Sequence, residues 1–454
     1  MEKPNTSFFL KLQDYKKKRY SSFHTPGHKN SGHLSTVDFL KLDFTELPGT
    51  DDLFSSSGVI LQSEKKAAEI FKAKRTLFSA GGCSLCIQTM LRLACPAGGK
   101  IISSRIIHKS AVSAMALLNI EPVWLTPGKD RQTNFWEPIN PQVIYRALQA
   151  NKDAKAIYLT SLDYFGVIAD IRAIAEICKD FDVLLLVDNA HGSHLGLLKE
   201  NLHPIYLGAD MCADSAHKTL PVFTGGAFLH INNSKFVDIA KNEMQLFAST
   251  SPSFPILSSL DVCCDWIKKH GKKRFANLEN KVAEIKELAL RAGLTLPKGK
   301  VDPTRISFNT AKMGISGEEF ANYLRKFKVE PEFSIDNFVV LIPSPFNRKI
   351  DFKRLKRALL SLSKARSHLI YPHNQSMTRD FYYFEPPQIA ASLNKTLFAE
   401  SYKINTEKSL GKISKHMVCP SPPGVPIVLP GEIITNSIIE NLTNYGVFSL
   451  DVLK

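Results

Sequence analysis

Three residues in this chain have the types and order of a carbonyl-handling site. Asp188 closes the apolar run Val183-Leu184-Leu185-Leu186-Val187, and His217-Lys218 follows within Ala213-Asp214-Ser215-Ala216-His217-Lys218-Thr219. An apolar run ending in a carboxylate reads as a parallel strand, and open α/β sheets bind ligands at the carboxyl ends of such strands. A carboxylate there can keep a pyridine nitrogen protonated. Lys218 can form a Schiff base with an aldehyde, because desolvation and a neighbouring cation lower an amine's pKa and make it nucleophilic. The same letters also fit a surface lysine beside a structural histidine, since lysines are mostly solvated.

Three further clusters gain meaning from that pairing. Gly81-Gly82-Cys83-Ser84 sits at an expected helix start, where free backbone amides and the positive end of the helix dipole favour a phosphate. Ser215 and His217 suit the same anion. Arg105-Ile106-Ile107-His108-Lys109-Ser110 follows another strand and places His108 at the same rim, where its imidazole either stacks on a flat ring or is a capping or core histidine. In Asp188-Asn189-Ala190-His191-Gly192 the small Ala190 permits close approach of a ring. A pyridinium partner, a Schiff-base lysine and a phosphate cradle are what a protein supplies to pyridoxal 5'-phosphate.

Positioning these residues requires alternating strands and helices. From about Leu77 to Ile231 the pattern gives strands at Lys100–Ser103, Pro122–Leu125, Ala156–Thr160 and Gly226–Ile231, besides the run ending at Asp188. Helices are expected after Gly82, over Ala111–Leu118 and over Ile171–Asp180, which together build a parallel sheet covered by helices. From about Asp302 the grammar becomes strand, helix (Gly317–Phe327), strand (Phe338–Ile342), helix (Phe352–Leu362), a compact α+β unit. A polar stretch then precedes a last, proline-rich segment from Phe381 to Lys454.

Composition narrows the class. A chain of 454 residues with 44% hydrophobic content builds a sizeable core over two or three domains. The sequence shows neither a signal peptide's apolar region nor a run long enough to cross a bilayer, so a cytoplasmic enzyme is expected, with no membrane partner. Its eight cysteines, two adjacent at Cys263-Cys264, read as reduced thiols. Cys83 and Cys86 have metal-site spacing, but no second pair or histidine cluster completes a site, and no metal is expected. The net charge of +15 raises nucleic acid as a partner, yet the lysines are dispersed. Groups such as Lys268-Lys269 with Lys272-Lys273-Arg274 read as solvated helix faces, so no nucleic acid is expected.

The residues resemble the pyridoxal-phosphate-dependent ornithine, lysine and arginine decarboxylases of aspartate aminotransferase fold. The resemblance rests on Phe23-His24-Thr25-Pro26-Gly27-His28-Lys29, on Thr45-Glu46-Leu47-Pro48-Gly49-Thr50-Asp51-Asp52-Leu53, and on Ser215-Ala216-His217-Lys218. It continues through Met417-Val418-Cys419-Pro420-Ser421-Pro422-Pro423-Gly424-Val425-Pro426 and Leu429-Pro430-Gly431-Glu432. It implies an α/β fold of type I: an N-terminal arm (1–55), a large cofactor domain with a mostly parallel seven-stranded sheet (56–300), a small α+β domain (301–366) and a C-terminal α+β domain (367–454). It implies that Lys218 carries the cofactor, Asp188 pairs with its ring nitrogen, His108 stacks on the ring and Ala190 packs beneath it. Gly82, Cys83, Ser84, Ser215 and His217 would surround the phosphate, with His191 also at the cofactor. Glu332 would receive the distal cation of a basic amino acid, in a homodimer or larger homo-oligomer.

The chain departs from the family's pattern at Asn189 (commonly glutamate), Cys83 (a hydroxyl residue), Ile87 (asparagine), Gly225 (glutamine) and Ser421 (tyrosine). The expected reaction is decarboxylation of lysine, arginine or ornithine to the amine, with Lys218 or a nearby histidine returning a proton to Cα. Other activities open to the fold are aminotransfer, aldol-type cleavage, or cofactor binding by a catalytically drifted homologue.

Overall fold

The computed structural model describes residues 8–30, 38–366, 388–419 and 426–454. Its centre is a seven-stranded sheet made of β1 (Arg75–Ser79), β2 (Gly99–Ser104), β3 (Ile120–Leu125), β4 (Ala154–Thr160), β5 (Leu184–Asp188), β6 (Met211–Asp214) and β7 (Ala227–Ile231). The spatial order is β1-β7-β6-β5-β4-β2-β3. Neighbours from β6 through β3 pair in parallel, while β7 is antiparallel to both β6 and β1. β1 therefore runs the same way as β6, and six of the seven carboxyl ends share one rim. The apolar runs expected as strands are strands, and the reversal at Gly226–Ile231 is the antiparallel β7. β1 and β6 are less visible in sequence, because β1 is a short run with polar residues at both ends and Met-Cys-Ala-Asp carries no β-branched or aromatic residue. Pairing with β7 holds both.

Helices cover both faces of the sheet, as a parallel sheet buried on two sides requires. The helix Gly82–Ala94 follows β1, Lys109–Leu117 follows β2 and Ile171–Asp180 follows β4. Ile171–Asp180 buries Ile171, Ile174 and Cys178, and the Asp170 side chain caps its start by accepting from Ala173 N. The basic group at 268–274 stands exposed where a π-type turn, Ile267–Gly271, enters the helix Lys272–Arg291. Among the described residues no helix is long and apolar enough to cross a membrane.

After the large sheet come three antiparallel strands, Ile306–Asn309, Phe333–Ile335 and Phe338–Leu341, with helices Gly317–Lys326 and Lys349–Arg366. Ser316 and Glu319 form a reciprocal capping box at the first of these helices, which fixes its start. The N-terminal Ser21–Phe23 pairs in parallel with Val329–Pro331, so the arm is stitched to this unit. The C-terminal segment pairs Ser401–Asn405 with Ser449–Leu453 around the helix Asn436–Asn444. Phe135, Phe165, Phe333, Phe338, Ile427 and Ile434 share one apolar core, which joins all three regions.

Candidate active site

Parallel register sets the site. Thr160 at the end of β4 lies opposite Asp188 at the end of β5, and Asp188 lies opposite Ala213 on β6. Immediately beyond β6, a single helical turn, Ala216–Thr219, presents His217 and Lys218 at the same rim. The N-terminal motif locks this turn from behind. Gly27 N donates to His217 O at 2.7 Å, and a Cβ on Gly27 would sit 2.6 Å from Leu220 O. Only glycine lets the two backbones approach so closely.

Gly82, Cys83, Ser84, His108, Asp188, Ala190, His191, Ser215, His217 and Lys218 all line one cavity of about 230 Å³. The Asp188 side chain is 1% exposed and accepts from Ala190 N at 3.1 Å and from the Tyr158 hydroxyl at 3.3 Å. Burial pushes its carboxyl above the usual range, and His108 and Lys218 only partly oppose that. Lys218 borders the cavity with its Nζ 2.9 Å from His191 Nε2 and 5.8 Å from the centre of the Tyr164 ring. Burial lowers its proton affinity below that of an ordinary lysine, against the pull of Asp188. Burial, then the Lys218 charge, hold His191 well below the usual imidazole range.

At the other end, Gly82 opens the helix Gly82–Ala94 with φ +70° and donates to Gly225 O at 2.8 Å. The following amides, at Cys83 and Ser84, belong to a first helical turn, which has no intrahelical acceptors for them. Burial keeps the Cys83 thiol protonated, so it is a weak donor where the family has a hydroxyl. His217 Nδ1 faces Gly226 O at 3.2 Å and Ser215 Oγ at 3.3 Å, and burial holds the ring at about 4. His108 caps the helix Lys109–Leu117, its Nδ1 accepting from Ser110 N at 3.2 Å while its ring borders the cavity. The two sequence readings of His108 are thus compatible. A pyridinium bearing a phosphate fits this set, because Asp188 needs a cation beside it and the helix start suits an anion.

Glu332 does not line the cavity. Its carboxylate accepts from Thr25 N at 2.7 Å and from the Thr25 hydroxyl at 3.4 Å, yet its charge still raises the Lys218 proton affinity. Of the departures, Ile87 borders the cavity and Ser421 lies outside the described residues. Asn189 has a clear reason. Its amide donates to Asp214 Oδ1 at 2.7 Å, and Asp214 Oδ2 meets His203 Nε2 at 2.9 Å and His230 Nε2 at 3.3 Å. Burial alone would raise the Asp214 carboxyl, but the two histidines hold it well below the usual range. His203, Asp214 and His230 are close enough to ligate a metal. However, His203 Nδ1 accepts from Ile205 N, which leaves the proton on the Nε2 that would have to coordinate. The trio is a proton-satisfied network.

Sequence reasoning missed Thr160, Tyr164 and Arg305. Thr160 and Tyr164 line the cavity, and Arg305, 2% exposed, donates to Tyr164 O at 3.2 Å and His191 O at 3.3 Å. Thr160 was findable as the last residue of the strand beside Asp188, whereas Arg305 carries no local signal. Arg105 and Glu432 form a buried two-pronged ion pair, which ties the Leu429-Pro430-Gly431-Glu432 motif to the loop bearing His108.

Known proteins resemble this chain in sequence and in fold. The chain is 29% identical over 459 residues to an arginine decarboxylase of Bacillus subtilis, covering 97% of this chain and 93% of that one. It is 28% identical over 452 residues to an arginine decarboxylase of Halalkalibacterium halodurans, covering 95% and 91%. The fold superposes on the constitutive lysine decarboxylase of E. coli with TM-score 0.75 at 18% identity, covering 98% and 82%. It superposes on a Francisella novicida lysine decarboxylase with TM-score 0.79 at 17% identity, covering 98% and 80%. The Orn/Lys/Arg decarboxylase major domain matches residues 6–295, and that family's C-terminal domain matches 380–448. With more than half of its length matched in this way, the chain belongs to the Orn/Lys/Arg decarboxylase family, pyridoxal-phosphate-dependent amino acid decarboxylases of fold type I.

Proposed function

We propose that this cavity removes the α-carboxylate of a basic L-amino acid, with Lys218, Asp188, His108 and His217 at the cofactor and arginine as the first substrate to test. One observation carries the reading: the Lys218 amine, in contact with His191, borders the same cavity as the buried Asp188 carboxyl. The choice of arginine rests on the names of the Bacillus subtilis and Halalkalibacterium relatives.

Pyridoxal phosphate, when bound, supplies the electron sink that lets the bond to the α-carboxylate break. Asp188 would hold the proton on the ring nitrogen, because a buried carboxyl recovers its charge when a cation is set against it. His108 and Ala190, both lining the cavity, would hold the ring. Gly82, Cys83, Ser84, Ser215 and His217 would hold the phosphate, the helix start doing most of the work that Cys83 does weakly. Lys218, its proton affinity lowered by burial, would hold the cofactor and carry at its Nζ the proton that goes to Cα. His191 would exchange that proton with Lys218 across their 2.9 Å contact. Glu332, oriented by Thr25, would favour a cationic side chain over a neutral one. The half-exposed Phe44, just before the Thr45–Leu53 motif, and Leu47 within it suit burial against a second copy in a homodimer.

Incubating the cofactor-loaded protein with arginine, lysine and ornithine tests the reaction. Carbon dioxide with the matching amine is expected, and keto acid instead of carbon dioxide would overturn the reading. Borohydride reduction followed by mass spectrometry should place the cofactor on Lys218 and find none in Lys218→Ala.

A further inference from the structure

Behind the active-site cavity lies a second, much smaller chamber of about 20 Å³. Thr160 and Ile106 border both spaces, so a single layer of side chains separates them. The Thr160 hydroxyl is fully buried and has no hydrogen-bond partner among the described residues. Across the chamber stands Asp163, 8% exposed, whose Oδ1 accepts from Val167 N at 2.8 Å. The outer wall includes the exposed Glu137. A space of roughly 10–15 Å³ with two to four polar neighbours is what one buried water needs, and Thr160, Asp163 and Ser104 supply them.

We propose that this chamber holds a water that joins Asp163 to Thr160 and delivers to the active site the proton consumed in each turnover. The inference rests on the decarboxylase reading above. In that reaction the bond between Cα and the carboxylate breaks and carbon dioxide leaves. The electron pair remains on Cα and a proton forms the new C–H bond, so each cycle takes up one proton from outside. Lys218 and His191 can place that proton, but one is half-buried and the other buried, and the pair must be recharged. A hydroxyl can accept one proton while donating another, which makes Thr160 a gate between chamber and cavity. Asp163 is a suitable donor. Burial pushes its carboxyl up to about 7, while the amides of Val167, Gly166 and Phe165 and the Arg305 charge pull it the other way. Glu137, on the loop before the helix Pro141–Ala150, is the group that meets solvent.

Two measurements test this. A high-resolution crystal structure should show an ordered water within hydrogen-bonding distance of both Thr160 Oγ1 and the Asp163 carboxylate. A dry chamber would overturn the relay whether or not the enzyme is active. Asp163→Asn keeps the acceptor for Val167 N, so cofactor absorbance and KM should stay near those of the native protein. Its kcat should fall about 100-fold, the lower range for loss of a proton-transfer group, with a larger solvent deuterium isotope effect. Unchanged kcat and isotope effect in Asp163→Asn would also overturn it. If the native protein released no carbon dioxide from any of the three amino acids, the decarboxylase reading would fall instead, and the water would still be read from the crystal.

Discussion

Replacing Glu432 by glutamine should loosen the active site from a distance. Glu432 and Arg105 are 1% and 2% exposed, bonded through the two terminal guanidinium nitrogens, and Glu432 Oε2 also accepts from Leu429 N at 2.7 Å. Glu432→Gln keeps the shape but removes the charge, leaving the Arg105 guanidinium buried against an amide. Breaking one side of such a pair costs about 3–5 kcal/mol. At ~2–4 °C per kcal/mol for a cooperative unit of about 200 residues, the melting midpoint should fall by roughly 6 °C or more. Because Arg105 begins the loop that ends at His108, the variant should also bind pyridoxal phosphate more weakly. Calorimetry at fixed protein concentration reads the first effect, and absorbance titration with the cofactor reads the second. Arg105→Met combined with Glu432→Met should recover much of the midpoint, since apolar replacement removes both desolvation penalties. A Glu432→Gln midpoint within about 1 °C of native, less than 1 kcal/mol by the same conversion, would refute the assigned role of the pair.

Gly27→Ala should push the N-terminal segment off the Lys218 turn, because the new Cβ would meet Leu220 O at 2.6 Å. A native-like circular dichroism spectrum with weakened cofactor retention is expected, and unchanged retention would contradict that docking. His217 titrates near 6.5 when unfolded, but burial holds it at about 4 in the fold. Between those values the unfolded chain binds more protons, so this contribution is full above pH 6.5 and is lost as pH falls toward 4. The urea-midpoint difference between native protein and His217→Asn should shrink across that window, and parallel curves would count against it. Asn189→Asp would set two buried carboxylates where the amide now donates to Asp214 at 2.7 Å, destabilising by roughly 1–3 kcal/mol. Adding Asp214→Asn should return part of that loss in a denaturant cycle, and strict additivity would deny the coupling.

The sequence by itself determined the elements and the candidate reacting groups. Period and composition are local properties, so the apolar strand ending at Asp188, the helix opening at Gly82 and the turn carrying Lys218 were legible from neighbouring residues. Their convergence followed from one rule, that parallel strands present their carboxyl ends together. Tertiary structure alone decided what holds and adjusts them. Arg105 and Glu432 are 327 residues apart, Thr25 and Glu332 are 307 apart, and Gly27 meets His217 through backbone atoms that no side-chain letter reports. The same holds for Asn189, which reads as a defect in the motif until Asp214 is seen beside it, and for Thr160, whose buried hydroxyl is defined only by the chamber next to it. These features depend on which distant surfaces the sheet order and the shared apolar core bring into contact, and pairwise chemistry across such contacts leaves no periodic trace along the chain.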